Sequence, residues 1–397
     1  MTIASHAIVS GAYSTVGITA NTNVRDVSQL LDLWAHRDTP LLNRIKWSGG
    51  SGGLSREWLS EHLGFGYVQT SGALTSADDN LVITTSGTGL ATEEVAKQLQ
   101  PGSLLYVPVS GSGVGSWASV MDITLSTDGD VLSIGLSWLA TASEGVPASA
   151  KLYIVGHFAN EGSDPYDDTS RKRTLLSNNF AILRKDIKIT GSQAATDMHA
   201  IANDPTHQMA MRLLEMQFER ERTLLLSATQ SRSATAAGLM NGAMGFLDAY
   251  TAQSWVDSTT TTLTESAFND VVAACWENGG TPNVFVGNVK QMRLFTDWDD
   301  SKIRTRPDSR MGGHWITSYL TDTGIEVDLV PLRHFPVNLG FILDTNLINL
   351  VPKQGRKLIV EKLAKVGDYE RWQLLSEFTL EMRKYDMGAH GAFMKLT

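Results

Sequence analysis

From Trp372 to Met382 the chain alternates in character from one residue to the next. Trp372, Leu374, Ser376, Phe378, Leu380 and Met382 fall on one side; Gln373, Glu377, Thr379, Glu381 and, one step on, Arg383 fall on the other. Period-two alternation is the pattern of a β-strand with one dry face and one wet face. A similar pattern precedes it. Trp315, Thr317 and Tyr319 alternate up to a turn at Asp322-Thr-Gly324, and Ile325, Val327 and Leu329 alternate after it, with Glu326 and Asp328 on the wet face. A strand that long needs a sheet to lie in and a layer to cover its apolar face. The end of the chain is therefore a closing element for structure that lies far upstream.

The layer is visible in the sequence. Asp204 is a natural helix cap with Pro205 at the first helical position, and residues 206–227 contain no glycine or proline. At 1.5 Å per residue this run makes a rod roughly 33 Å long. Leu214, Phe218 and Leu225 form one stripe; Arg212, Glu215, Glu219 and Arg222 form another and can pair at i,i+3 spacing. After a small-residue linker from Ser231 to Gly245, Phe268, Val271, Val272, Cys275 and Trp276 follow the spacing of a half-buried helix, ended by Gly279-Gly280. Val284-Phe-Val286 is a short buried strand, and Asn288 caps a second helix through Phe295. No glycine-rich loop joins that strand to that helix, which excludes a nucleotide-binding reading.

The first half is more varied. Residues 1–24 contain no Lys, Arg, Asp or Glu and read as a polar arm, not as a signal peptide. Val27, Leu30, Leu31 and Trp34 have helical spacing, Pro40 enforces a turn, and Gly49-Gly-Ser-Gly-Gly53 reads as a loose connection. Residues 66–158 carry eight acidic and two basic residues, −6 of the chain's −9. Strands are expected at Leu81–Thr85, Leu104–Val109, Ser119–Leu125, Val131–Leu136 and Leu152–Val155, with turns at Gln100-Pro-Gly-Ser103 and Asp128-Gly129. Five short strands and no long helix predict a small β-barrel or sandwich inserted into a host domain. Residues 161–196 then hold Arg171-Lys-Arg173 and Ile182-Leu-Arg-Lys-Asp-Ile-Lys-Ile-Thr190, where isoleucines alternate with charges; this reads as a hairpin arm with charged edges.

At 397 residues, 42% of them apolar, the chain has material for two or three compact units. A net charge of −9 excludes a generally basic nucleic-acid footprint, and a single cysteine, Cys275, excludes an intrachain disulfide or a cysteine-based zinc site. No apolar run reaches membrane-spanning length. The glycines of 49–53 lack the Lys and Ser/Thr of a phosphate loop, and no His/carboxylate spacing suits a metal. Adjacent pairs such as Glu93-Glu94 and Asp299-Asp300 read as solvated surface.

The order of parts resembles the Johnson fold of tailed-phage major capsid proteins, the Hong Kong 97 type, and its SU-ten-like group. Local matches are Asp38-Thr-Pro40 with Asn43-Arg-Ile45, Ile189-Thr-Gly191, Glu215 with Arg220 and Glu221, Trp276-Glu-Asn-Gly-Gly-Thr-Pro282, Tyr319-Leu-Thr-Asp-Thr-Gly324, Leu343-Asp344, Lys365-Val-Gly-Asp368 and Glu377-Phe-Thr-Leu-Glu381. The resemblance covers most of residues 25–397 outside the inserted β module (66–158), and around that module it implies an α+β chain divided into an N-terminal arm and first helix (1–65), an extended loop (159–196), the spine helix of a peripheral domain (197–234), an axial domain (235–335) and strands completing the peripheral domain (336–397). It implies a structural subunit, not an enzyme, with no cofactor and no metal. Copies would assemble as pentamers and hexamers into an icosahedral head around double-stranded DNA, in the host bacterial cytoplasm. Portal, scaffold and decoration proteins would be its partners, packaged DNA would lie against it without specific contact, and no membrane would be involved.

On that reading the residues expected to touch neighbouring subunits are Asp38, Arg44, Arg171, Arg173, Arg184, Lys185, Lys188, Glu219 and Arg222. The alternative is a virion adhesin, a carbohydrate-binding module built on the β insert, with Trp117 and Trp138 able to stack on sugar although core packing suits both. An enzyme with an unfamiliar site is the third reading and has no convergent titratable groups to support it.

Overall fold

The computed structural model describes residues 39–61, 66–71, 80–84, 95–108, 115–125, 131–139, 150–164, 170–171, 173–196, 204–298, 303–307, 314–333 and 335–397. The expected helix near Val27–Trp34, the contact residue Asp38 and the Asp128-Gly129 turn lie outside these residues.

Two sheets and a spine helix make the host. The peripheral sheet joins β1 (Lys46–Trp47), β17 (Ile348–Pro352), β19 (Tyr369–Met382) and β10 (Ala181–Thr190) in that order, with β18 (Ile359–Lys362) also paired to β19. Helix α2 (Asp204–Leu226) lies across it and follows a one-turn helix, α1 (Gly191–Ala194). Its long span has no internal glycine or proline, and its Met216 packs with Ile187, Ile189 and Leu374 in one apolar cluster. The expected Leu214–Phe218–Leu225 stripe is one-third right. Leu225 is buried, but the buried line runs through Met216, Arg220, Glu221 and Leu224. Two charged residues on that line are what hides it from an apolar-pattern reading.

Three expectations change in this region. The stretch 181–190 does not project as an arm; it pairs antiparallel with β19 through ten residues, from Ala181↔Phe378 to Thr190↔Tyr369. Charged residues alternating with isoleucine suit a half-buried strand in either setting, and the partner lies far downstream in sequence. The polar face of β19 is not wet: Glu377, Thr379 and Glu381 are all buried. The Gly49–Gly53 segment is not loose either. Ser51 bridges in parallel to Lys353, and the Lys353 ammonium donates to the Gly52 and Gly53 carbonyls.

The axial sheet has seven strands in the order β11 (Val256–Asp257), β20 (Gly391–Phe393), β16 (Gly340–Leu343), β12 (Val284–Asn288), β15 (Glu326–Leu332), β14 (His314–Leu320) and β13 (Ile303–Pro307). Helix α3 (Ala243–Leu247) leads into this unit. Helix α4 (Glu265–Glu277) is capped by the Thr264 hydroxyl, and its Phe268 meets the rings of Phe285, Phe295 and Tyr319 at 5.1–5.6 Å. Asn288 caps α5 (Val289–Leu294) as its position predicts. Trp276 departs from expectation and is exposed. The span 336–397 is also not wholly peripheral, because β16 and β20 belong to the axial sheet. The chain thus passes from axial β16 to peripheral β17, through β19, and back to axial β20.

His390 sits at that return. Its Nδ1 accepts from the Asp344 backbone N–H at 3.1 Å, so Nε2 carries the proton and donates to the Arg383 carbonyl at 3.0 Å. Burial pushes the imidazole down to about 4.

The inserted module is a six-stranded antiparallel sheet with its own core, in the order β3 (Tyr67–Gln69), β8 (Lys151–His157), β5 (Ser103–Val107), β6 (Ser116–Leu125), β7 (Val131–Trp138) and β4 (Asn80–Thr84). Five strands match expectation and β3 is added. The Ser71 amide and hydroxyl, just past β3, both donate to the Val82 carbonyl in β4, at 3.2 and 2.7 Å, which ties the two edges together. The module is carried on a two-stranded ribbon, β2 (Ser55–Ser60) paired antiparallel with β9 (Thr174–Asn179).

Removing residues 372–397 takes away the strand between β17 and β10 and an inner strand of the axial sheet together, so the truncated chain is expected to be insoluble or to melt without cooperativity; a soluble, cooperatively melting truncation contradicts this. A second outcome follows from His390. Its folded-state value lies below the ordinary one, so the stability it supports is present above about pH 6.5 and is lost as pH falls towards about 4, on the order of 3 kcal/mol in all. The urea midpoint should fall from about pH 7 to about pH 5. A His390→Asn chain should start lower and fall less, and equal falls would exclude His390 as the cause.

Candidate subunit-contact site

The ribbon that carries the inserted module is fastened where it crosses the odd-numbered face of β19. Glu381, with 1% of its side chain exposed, accepts from Arg56 Nε at 2.7 Å and from Arg383 Nε and Nη2 at 2.7 and 2.6 Å. Glu377, 5% exposed, accepts from Arg232 Nη2 at 3.0 Å and Arg356 Nε at 2.7 Å. Between them the Thr379 hydroxyl donates to the Asn179 carbonyl at 2.7 Å. Asn178 on β9 donates to the carbonyls of Leu380 and Asn241 at 2.7 and 3.0 Å and accepts from the Asn241 N–H at 2.8 Å. Two buried carboxylates thus each meet two guanidinium groups, the arrangement that makes a buried charge tolerable.

The spine helix holds the other attachment. Glu221 accepts the backbone N–H groups of Leu41 and Leu42 at 2.9 and 3.2 Å, which pins the turn after the N-terminal segment. Burial raises its pKa, and those two bonds oppose the rise. Arg220, one residue before, donates to the Ser376 hydroxyl at 2.6 Å and the Lys357 carbonyl at 3.0 Å and lies over the rings of Trp47 and Phe378. Burial lowers its pKa.

Most sequence-chosen contact residues find partners within the same chain. Arg44 meets Asp328 at 2.5 Å, joining the first turn to the axial sheet. Arg173 meets Glu61 at 3.1 Å across the far end of the ribbon. Lys185 meets Glu219 and, at 3.6 Å, Glu215; Arg212 also holds Glu215 and keeps its pKa low. Lys188 lies 3.9 Å over the Tyr369 ring, and Arg184 sits 3.4 Å from Asp186. Arg171 is half-buried, and Arg222 is exposed on the spine helix. Glu219 therefore pairs with Lys185 rather than with Arg222. The residues overlooked in the sequence are Arg56, Arg232, Arg356, Glu377, Arg383 and Glu381. The alternation of Glu377 and Glu381 against an apolar face signals solvent until the ribbon covering it is known.

On the ribbon, Trp58 turns inward and is buried. Leu59 and Leu175, directly opposite each other in register, keep 65% and 60% of their surface exposed.

A family model described as SU10 major capsid protein matches residues 12–397. Similar solved structures include one from Mycobacterium phage Adephagia, with 10% identity over 97% of this chain and 98% of that chain and a TM-score of 0.46. The capsid asymmetric unit of cyanophage A-1(L) shares 14% identity over 61% and 85%, with a TM-score of 0.44. The holo-SrpI encapsulin complex from Synechococcus elongatus shares 12% over 57% and 78%, with a TM-score of 0.40. No curated protein matches the chain.

Replacing both Arg56 and Arg383 with alanine leaves Glu381 buried beside no cation of its own. The expected loss is about 3–5 kcal/mol, read as a lower urea midpoint. Restoring stability by adding Glu381→Gln to that double variant would identify the stranded charge as the cause, and a double variant as stable as the wild type would rule the arrangement unimportant.

Proposed function

Because this chain belongs to the SU10 major capsid protein family, and so serves as a structural subunit of a phage shell, we propose that the β2–β9 ribbon is its principal reach towards a neighbouring copy. The observation that carries this is the exposed Leu59–Leu175 pair. A two-stranded ribbon is marginal alone in water, and two leucines on its open face favour burial against another chain. Anchoring its base through Arg56 and Glu381 makes the ribbon a stiff lever, so a neighbour that binds its face gains contact without paying to order it. Of the charged residues chosen from the sequence, Arg222 is the one we retain as a contact on the spine; most of the others already serve the subunit's own fold.

The same reading extends to the assembly. Copies close as pentamers and hexamers into an icosahedral head around double-stranded DNA, formed in the host cytoplasm, with portal, scaffold and decoration proteins as partners. A net charge of −9 suits a wall that confines DNA without gripping it, because a basic lining would bind it through counterion release. The chain's work is this assembly and not catalysis.

Leu59→Asp with Leu175→Lys is expected to leave melting unchanged, since both side chains already face water and the two opposite charges face each other across the ribbon, and to abolish closed shells in negative-stain images. Wild-type-like shells from that variant would reject the ribbon as the contact.

A further inference from the structure

Four aromatic residues on four adjacent strands fall in one row across the outer face of the inserted sheet. Tyr67 stands opposite Tyr153, Tyr153 opposite Tyr106, and Tyr106 opposite Trp117. The ring centroids are 6.3 Å apart in the first pair and 5.8 Å in the last. The module does not need them for its core, which is filled from the opposite face by residues such as Val68, Leu105, Ala118 and Leu152. Tyr153 and Trp117 keep 47% and 39% of their surface exposed. Glycine at position 115 clears the way for the Tyr106 ring, since a Cβ there would stand 2.6 Å from its Cζ and Oη. Trp138, the other tryptophan chosen from the sequence, packs against the core and has no part in the row.

One end of the row opens into a cleft of about 510 Å³ between the module and the axial domain. Tyr67, Gln69 and Lys151 line one wall; Trp255, Asp270, Glu277 and Asn278 are among the residues of the other. Lys151 spans it, 2.7 Å from Glu277 and 4.9 Å over the Tyr67 ring. Trp255 is only 4% exposed, and its Nε1–H finds no partner among the described residues. A buried indole N–H without an acceptor costs free energy unless something supplies an oxygen.

We propose that the aromatic row and this cleft form one binding strip for a glycan chain. Rings set one wide in a line, tilted by 59° in the first pair and 61° in the last, present a face or an edge to the C–H faces of successive sugars. Carboxylates and amides at the cleft accept from and donate to sugar hydroxyls. A protein partner fits less well, because protein hot spots are filled apolar patches depleted in carboxylates. Here the carboxylates Asp270 and Glu277 stand at the cleft, and beside the row Gln69, Lys151 and Ser119 are polar while Leu104 and Val155 are apolar.

The test uses the full chain, as purified particles, on arrays of cello-, malto-, chito- and galacto-tetrasaccharides. Retention on at least one class is expected, with a loss of about tenfold or more in apparent affinity for Trp117→Ala with Tyr153→Ala. Melting and particle shape should match the wild type, which separates failure of this strip from failure of assembly. Tyr153→Ser alone, at a half-exposed position, should lower retention in the same direction if the double variant does not fold. Absence of retention on every class, or retention equal in wild type and variants, overturns the proposal. So does a bound protein that is lost from the variants while no glycan binds.

Discussion

Everything in the host depends on burying both faces of the strand 369–382. Its even face meets the spine helix, where Leu374 and Ser376 contact Met216 and Arg220. Its odd face carries two glutamates under the ribbon, and neither could stay there alone. An ionised carboxylate taken out of water loses several kcal/mol of hydration, which only close and well-aligned cations return. Each glutamate draws its two arginines from different places in the chain. Arg56 comes from the ribbon, Arg232 from the segment after the spine, Arg356 from the loop before β18 and Arg383 from the strand's own end. The ion pairs therefore fasten three separate segments to one strand and hold that strand's own end. An apolar pair of the same size would fill the space but would not select which segment lies where.

The two sheets are joined by the same economy of chain. The path leaves the axial sheet after β16, completes the peripheral sheet and returns at β20. His390 bonds backbone groups on both sides of that passage, at Asp344 and Arg383. Neither sheet can be finished before the other has begun, which makes the host one cooperative unit although its layers look separable. Asn178 acts in a similar way by linking the ribbon, β19 and the segment at Asn241.

Elements with a local cause were legible from the residues. Asp204 and Pro205 mark the start of the spine, Asn288 caps its short helix, and five of the module's strands follow their alternation. What depended on distant partners was not. Residues 181–190 alternate as a ribbon strand or a sheet strand would, and only pairing with β19 decides between them. Glu377 and Glu381 look solvated because the cover over them begins at Ser55. Contact residues chosen for charge have partners within their own chain: Lys185 in Glu219, Arg44 in Asp328, Arg173 in Glu61. A charge run in a sequence shows that water or a counter-charge is near, but not whether that charge belongs to the same chain. The apolar ribbon pair and the aromatic row escaped for the opposite reason, since a strand's outward hydrophobics look like core until register assigns their face.

Residues 66–158 interrupt a pair of strands, and the geometry of the insertion explains why it is tolerated. A hairpin loop lengthened from about four residues to more than a hundred undergoes about five doublings, each costing about 0.6 kcal/mol of closure entropy, or about 3 kcal/mol for a flexible chain. The module avoids much of that cost. Its first and last strands, β3 and β8, are hydrogen-bonded neighbours, with Tyr67 opposite Tyr153. Once it folds on its own core, its entry and exit emerge side by side, as the ends of β2 and β9 require. Ser60 opposite Thr174 and the Glu61–Arg173 pair then close the ribbon as a short turn would. The host therefore meets a local connection and the Lys151–Glu277 pair, and the outer surface of the module is free of the packing demands that shape β19. A row of aromatics, with Tyr153 and Trp117 exposed, can persist there without weakening the shell subunit beneath it.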